Sequence, residues 1–108
     1  MYEYQATVHR VIDGDTVILN VDLGFSTYRR VTVRLKDVMA PELSEEFGLE
    51  AKAKLVSLLL TELTIKTFKD KTEKYGRYLG VIGNVNTLMQ DWIDELQSSV
   101  LGVGQPTA

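Results

Sequence analysis

Two aspartates flank a glycine in IDGDT, Asp13 and Asp15, at the head of a stretch patterned as a strand. Carboxylate oxygens are hard ligands of the type Ca²⁺ and Mg²⁺ prefer. Asp-Gly also makes an ordinary turn, so this text alone offers either a metal ligand or a bend. VRLKDVMAPE sets Arg34 and Glu42 eight residues apart around the bend fixed by Pro41. As chemistry they are a guanidinium for phosphoryl oxygens and a carboxylate for a water. As plain structure they are a surface arginine and an acid in the first turn of a helix. EKYGRYL places Tyr75 and Arg77 on either side of Gly76 at the mouth of a strand. Arg77 brings a second planar fork of donors, a shape that suits phosphate. Tyr75 brings a ring able to stack on a base. A hairpin arginine and a packing aromatic are the alternatives.

These residues need elements to hold them. In TVILNVDL, Val17, Leu19, Val21 and Leu23 alternate with Thr16, Ile18, Asn20 and Asp22, the period of a half-buried strand. In RRVTVRLKDV, Val31, Val33 and Leu35 alternate with Arg30, Thr32, Arg34 and Lys36, so one face is core and the other basic. YEYQATVHRVI reads as a weaker strand ahead of the DGD turn, where Gly14 supplies permissive backbone. Gly24 with Ser26 and Thr27 marks a hairpin. Ser44 followed by Glu45 and Glu46 predicts an N-cap, and Phe47, Ala51, Leu55, Leu58 and Leu59 recur at helical spacing over 44–61. ELTIKTFK alternates again, DKTEKYG reads as a loop, and RYLGVIG as a short strand. Asn84 or Asn86 is expected to cap a second helix over 85–98, with Val85, Leu88, Met89, Trp92, Ile93 and Leu96 on its apolar face.

The order β-β-β-α-β-β-α fits a mainly β, α+β fold: a five-stranded Greek-key barrel of the OB type, its end plugged by the first helix. One domain is expected over 1–100, with 101–108 a flexible tail. At 108 residues the chain can bury roughly two-thirds of its unfolded surface and needs no metal or disulfide merely to fold. Hydrophobic residues at 44% and charged residues at 25% exclude a disordered chain. The absence of cysteine excludes thiolate zinc and a thiol nucleophile, and a single histidine, His9, excludes a multi-histidine metal site. No apolar run reaches the ~18 residues of a membrane span, and MYEYQATVHR is not a signal peptide. An intracellular or phage-encoded protein, monomeric by default, is the expectation.

The net charge of −3 does not advertise a nucleic-acid binder, but its distribution is lopsided. Residues 29–36 hold four bases and no acid, and residues 66–77 hold five bases and two acids. If these segments meet, they make a basic patch on an acidic body, and the local field governs how a polyanion approaches.

VIDGDTV (11–17), VRL and APE (33–42), EFGLEAKAKL (46–55), KYGRYLG (74–80) and VNTLM (85–89) come in an order and spacing that resemble the staphylococcal-nuclease-like family over about residues 6–96. The resemblance implies a five-stranded OB barrel and calcium-dependent hydrolysis of DNA and RNA phosphodiesters, yielding 3′-phosphates and 5′-hydroxyls. By the same resemblance, Asp15 matches a carboxylate calcium ligand and Ala40 a position whose backbone carbonyl reaches the metal. Arg34 and Arg77 match two phosphate-binding arginines, Glu42 the carboxylate that activates or positions the attacking water, and Lys74 and Tyr75 positions that contact the nucleotide.

One departure stands out. Met39 occupies the place of a second carboxylate ligand, and a thioether is a poor partner for calcium. Asp37 and Asp13 are the candidate substitutes. The C-terminal part also lacks tyrosines that help bind the nucleotide terminus in the family's prototype. Two readings follow from the resemblance. One is a nuclease with a weakened calcium site, also open to Mg²⁺ or Mn²⁺. The other is a catalytically silent OB module that binds nucleic acid or a protein.

Overall fold

The computed structural model describes residues 2–72 and 76–103, and the side chains of residues 2–67 and 76–98. Five strands and two helices follow in the order β1 (Tyr2–Asp13), β2 (Thr16–Asp22), β3 (Tyr28–Leu35), α1 (Gly48–Leu58), β4 (Glu62–Thr72), β5 (Tyr78–Ile82) and α2 (Val85–Val103). The strands close a barrel in the order β1-β2-β3-β5-β4. All pairings are antiparallel except β3 with β5, which run parallel with Val33 beside Tyr78.

The alternation read in the sequence is the alternation of the barrel wall. Val17, Leu19, Val33, Leu35 and Ile65 are completely or almost completely buried, and their neighbours along each strand, apart from the buried Thr16, are half-buried or exposed. The expected OB-type architecture is therefore present. β1 is the longest strand rather than a weak one, because it pairs on both sides, with β2 and with β4. β4 runs on to Thr72, into the stretch read as a loop.

The first helix starts later than expected. Glu45 N–H donates to the Glu42 carbonyl (2.9 Å) and Gly48 N–H to the Glu45 carbonyl (3.1 Å), so residues 42–48 form consecutive turns before the helix begins. Phe47, not Ser44, is its N-cap, at a left-handed φ of 67° and with no side-chain cap. Gly48 lies so close to the Glu42 carbonyl that a Cβ there would overlap it. Ala51 and Leu55 then pack into the core against the end of β1.

The second helix buries Val85, Met89 and Ile93, whereas Leu88, expected on the apolar face, is exposed. It extends past 98 to Val103, three residues into the stretch read as a tail; residues 104–108 lie outside the described residues. Asn84 precedes it, its carbonyl accepting Leu88 N–H (3.0 Å). Asn86 is buried and does other work. Its Oδ1 accepts Ile82 N–H (3.0 Å), and its Nδ2 donates to the carbonyls of Lys36 (2.9 Å) and Gly80 (3.0 Å). It thereby ties β5 and the residue just past β3 to α2, close in sequence to both Arg34 and Arg77.

Candidate active site

The DGD corner feeds directly into β2, and β2 pairs with β3 so that Thr16 stands opposite Arg34. The carbonyl of Asp15 accepts Leu35 N–H (2.8 Å), which locks the corner to the end of β3. Asp13 Oδ1 accepts Asp15 N–H (3.1 Å), the local hydrogen bond expected of an Asp at a turn. Gly14 is needed here for space. A Cβ on it would come within 2.7 Å of the Ala40 Cβ and 2.8 Å of the Ala51 Cβ.

Around this corner five side chains or backbones converge. Asp15 is buried, and its Oδ1 accepts the Thr16 hydroxyl (3.0 Å). Its Oδ2 accepts Ala40 N–H (3.2 Å) and stands 3.2 Å from Arg34 Nη2. Arg34 Nη1 donates to its neighbour's carbonyl, Leu35 (2.7 Å). On the other side, Arg77 Nη1 donates to Thr16 Oγ1 (3.3 Å). The two guanidinium groups therefore flank one Asp-Thr pair, Arg34 through the carboxylate and Arg77 through the hydroxyl. Thr16 accepts from Arg77 and donates to Asp15, a use of one hydroxyl in both senses.

Burial pushes the Asp15 carboxyl up to about 6, the neighbouring Asp13 carboxyl adds to the rise, and Arg34 and the Thr16 hydroxyl oppose it. Desolvation of the charged form outweighs the nearby positive charge.

Glu42 lies two residues beyond Ala40 on the same loop, with its side chain exposed. Its backbone N–H is held by Glu45 Oε1 (3.1 Å). Asp15, Arg34, Ala40 and Arg77 are thus brought to one corner, and Glu42 to the loop bordering it. Lys74 and Tyr75 lie outside the described residues.

For a hard cation, the donor chemistry is thin but of the right kind. Among the described residues no three His, Cys, Asp or Glu side chains group as a metal cage. Met39 is 71% exposed and its Sδ stands 3.6 Å from Arg34 Nη2, so the thioether is a neighbour of the arginine. Asp37 is exposed, at a left-handed φ of 62°, and pairs with Lys36 (3.1 Å). Asp13 is the nearer carboxylate, behind Asp15. The set fits a loosely held ion on Asp15 with carbonyl and water oxygens, not a multi-carboxylate cage.

Two contributors escaped the sequence reading. Thr16 was visible in DGDT, but its bridging of the two arginine sites needs the β2–β3 register. Gln90 had no signal at all. Its Oε1 accepts Met39 N–H (2.9 Å) from α2, far along the chain, and so steadies the loop that delivers Ala40 N–H to Asp15.

Residues 32–95 match the family model described as "Staphylococcal nuclease homologue". Over 80 residues the chain is 38% identical to "Protein ParB" of Escherichia coli and 31% identical to "Micrococcal nuclease" of Shigella flexneri. Each alignment takes in 74% of this chain and 42% of the relative, so the chain spans less than half the length of the curated relatives it matches.

Proposed function

Since the chain belongs to the staphylococcal nuclease homologue family, we propose that it is a nuclease hydrolysing DNA or RNA phosphodiesters, with calcium as its ion and Mg²⁺ or Mn²⁺ as substitutes. The observation that carries this reading is the convergence of Arg34, on β3, and Arg77, just ahead of β5, on the Asp15–Thr16 pair. One arginine at a strand end is ordinary. Two guanidinium groups sharing one corner form a phosphate clamp.

In this reading the clamp donates to the non-bridging phosphate oxygens. Negative charge grows there as water adds to phosphorus, so donors fixed in advance stabilise the transition state more than the substrate, and losing one typically costs ~2.7–4 kcal/mol. Glu42, exposed at the edge, takes a proton from the attacking water or orients it. The bond from phosphorus to the 5′ oxygen breaks, that oxygen takes a proton from solvent water to become a hydroxyl, and the phosphate stays on the 3′ side. Asp15 and the Ala40 carbonyl would hold the ion. When bound, a divalent cation neutralises phosphate charge and lowers the pKa of a bound water. Lys74 and Tyr75 would contact the nucleotide.

A second reading, a silent module that binds nucleic acid or a protein without cutting, is favoured by Met39 in the ligand region and by the net charge of −3. One experiment separates the two. Heat-denatured DNA and RNA are incubated with the protein in Ca²⁺, Mg²⁺, Mn²⁺ or EDTA, and the ends of the products are identified. Metal-dependent fragments ending in 3′-phosphate support the nuclease. Retarded but intact substrate in every ion supports the silent module.

A further inference from the structure

The outer face of β3 continues beyond the clamp. Val31, Val33 and Leu35 point into the barrel, and the pairing with β2 is unbroken from Tyr28 to Arg34. Tyr28, Arg30, Thr32 and Arg34 therefore lie in a row on the outside. At ~3.3 Å per residue, Arg30 stands about 13 Å from Arg34 along the strand. Its Nε donates to Asn20 Oδ1 on β2 (3.2 Å), which holds the guanidinium against the sheet. Tyr28, at the far end, is 66% exposed.

Past Tyr28 the β2–β3 hairpin turns through Phe25 and Ser26, both at left-handed φ, 55° and 57°. A bulky residue is an outlier there, because such turns suit Gly or Asn. The turn is nevertheless pinned. Gly24 N–H donates to Asp22 Oδ1 (2.8 Å), Thr27 N–H to the Gly24 carbonyl (2.9 Å) and Leu23 N–H to the Thr27 carbonyl (2.8 Å). It holds the Phe25 ring fully in solvent. A ring so placed gives nothing to the core, and strain kept at an exposed tip points to function.

We infer that this face is a track for single-stranded nucleic acid leaving the clamp: Arg30 takes a phosphate about two nucleotides along from the one held at Arg34, and bases beyond it stack on Tyr28 and Phe25. This rests on the nucleic-acid reading of the clamp, though not on catalysis. Three features favour this occupant over a protein or a membrane. This face of β3 and its flank carry Arg30, Arg34 and Lys36, and residues 28–36 hold no acid. The row is continuous with the clamp. The aromatic groups lie where the positive charge ends, since Asp22 and Glu62 line the hollow beside Tyr28. Exposed ring faces need unstacked bases, which a duplex does not offer.

The test is binding in EDTA, where no metal-dependent cleavage intervenes. Fluorescence anisotropy compares a thymidine dinucleotide with an oligothymidylate of about twelve nucleotides, a length within the range such barrels cover. The wild type should hold the longer strand more tightly. Tyr28→Ala, Phe25→Ala and Arg30→Gln should each weaken it, by about tenfold for Tyr28→Ala, and leave the dinucleotide unchanged. Arg30→Gln should also reduce the salt slope by about one contact. Phe25→Trp, which keeps a stacking ring, should restore binding, and thermal melts of all variants should match the wild type. The track is overturned if the wild type binds the two strands equally or neither, if the variants bind the longer strand as well as the wild type, or if a duplex of the same length competes better than the single strand. A protein that binds through Tyr28 and Arg30 but cuts nothing keeps the track and refutes the nuclease. One that cuts DNA with a KM indifferent to these residues keeps the nuclease and removes the track.

Discussion

Arg34 and Asp15 form a nearly buried ion pair, Nη2 to Oδ2 at 3.2 Å, with 17% and 12% of their side chains exposed. The carboxylate oxygen that meets the arginine also accepts Ala40 N–H. One oxygen is thus the meeting point of the strand that carries the clamp, the corner that carries the acid and the loop that carries Glu42. The arginine's geometry is set before any substrate arrives, because its other end nitrogen is spent on the Leu35 carbonyl.

That double engagement makes the planar fork, and not the charge alone, the feature to test. Lysine at 34 keeps the charge but not two donors in one plane. Arg29 is the control. It lies on the opposite face of β3, over the Tyr78 ring at 5.8 Å, and outside the corner. Arg34→Lys is expected to reduce cleavage of heat-denatured DNA by roughly 10²–10³-fold, and Arg29→Lys to leave it nearly unchanged. Equal initial rates in the two variants would mean that Arg34 is surface charge.

The Asp15 carboxyl gives a pH signature whose sign is opposite to that of most paired acids. Burial, then Asp13, raise it from 3.8 to about 6 against the pull of Arg34. Between these values the folded protein binds a proton that the unfolded chain has released. Stability from this group is therefore greatest at low pH and is lost as pH rises through about 6. Urea unfolding from pH 4 to pH 8 should show this fall in the wild type and a flatter profile in Asp15→Asn. A steeper profile in the variant would contradict it. A cation on Asp15 competes with the same proton, so calcium affinity should drop below about pH 6.

Much of this was legible in the residues, and the gaps have physical causes. Strand alternation located the barrel because its wall has one dry face, as Val17, Leu19, Val33 and Leu35 attest. The motif text named Asp15, Arg34 and Arg77 as candidates, but not how they meet, because Thr16 joins them only through the register of β2 with β3. Ser44 misled because a capping residue is a local preference, and the close approach of Gly48 to the Glu42 carbonyl overrode it. Gly14 was right for the wrong reason: its lack of a Cβ makes room for Ala40 and Ala51. Gln90 and Asn86 act across folds of the chain, and no local pattern encodes that.

Asn86 is the sharpest case for stability. It fills three hydrogen bonds to backbone groups of β5 and of Lys36, just past β3, while buried. Asn86→Ala leaves Ile82 N–H and the Lys36 carbonyl to find other partners, while the Gly80 carbonyl keeps Lys36 N–H (2.9 Å). Each unsatisfied buried group costs ~1–3 kcal/mol, so the variant should lose about 2–4 kcal/mol in chemical denaturation, with Tm lower. Because those carbonyls belong to Lys36, two residues past Arg34, and Gly80, three residues past Arg77, cleavage by the folded fraction should fall too. A variant as stable as the wild type would show that water replaces the amide at no cost.

Met39 decides how tightly an ion is held. Hard cations are bound by summed carboxylate charge, and sites with fewer anions bind more loosely. Here Asp15 is the buried carboxylate of the corner, Asp13 stands behind it, and Asp37 is occupied with Lys36. Position 39 already has its backbone fixed by Gln90 and its side chain beside Arg34. A carboxylate placed there has two attractions, the arginine and a cation on Asp15. If the arginine wins, calcium gains nothing. If the cation wins, each 1.4 kcal/mol of added binding is about tenfold in affinity. The cation should win, because it carries two charges and Arg34 is already neutralised by Asp15. Met39→Asp is therefore expected to tighten calcium binding by at least tenfold in titration calorimetry and to raise calcium-supported cleavage, and Asp15→Ala to abolish both. An unchanged affinity in Met39→Asp would move the site away from residue 39, and tight binding by the wild type would show that one carboxylate with carbonyls and water is enough.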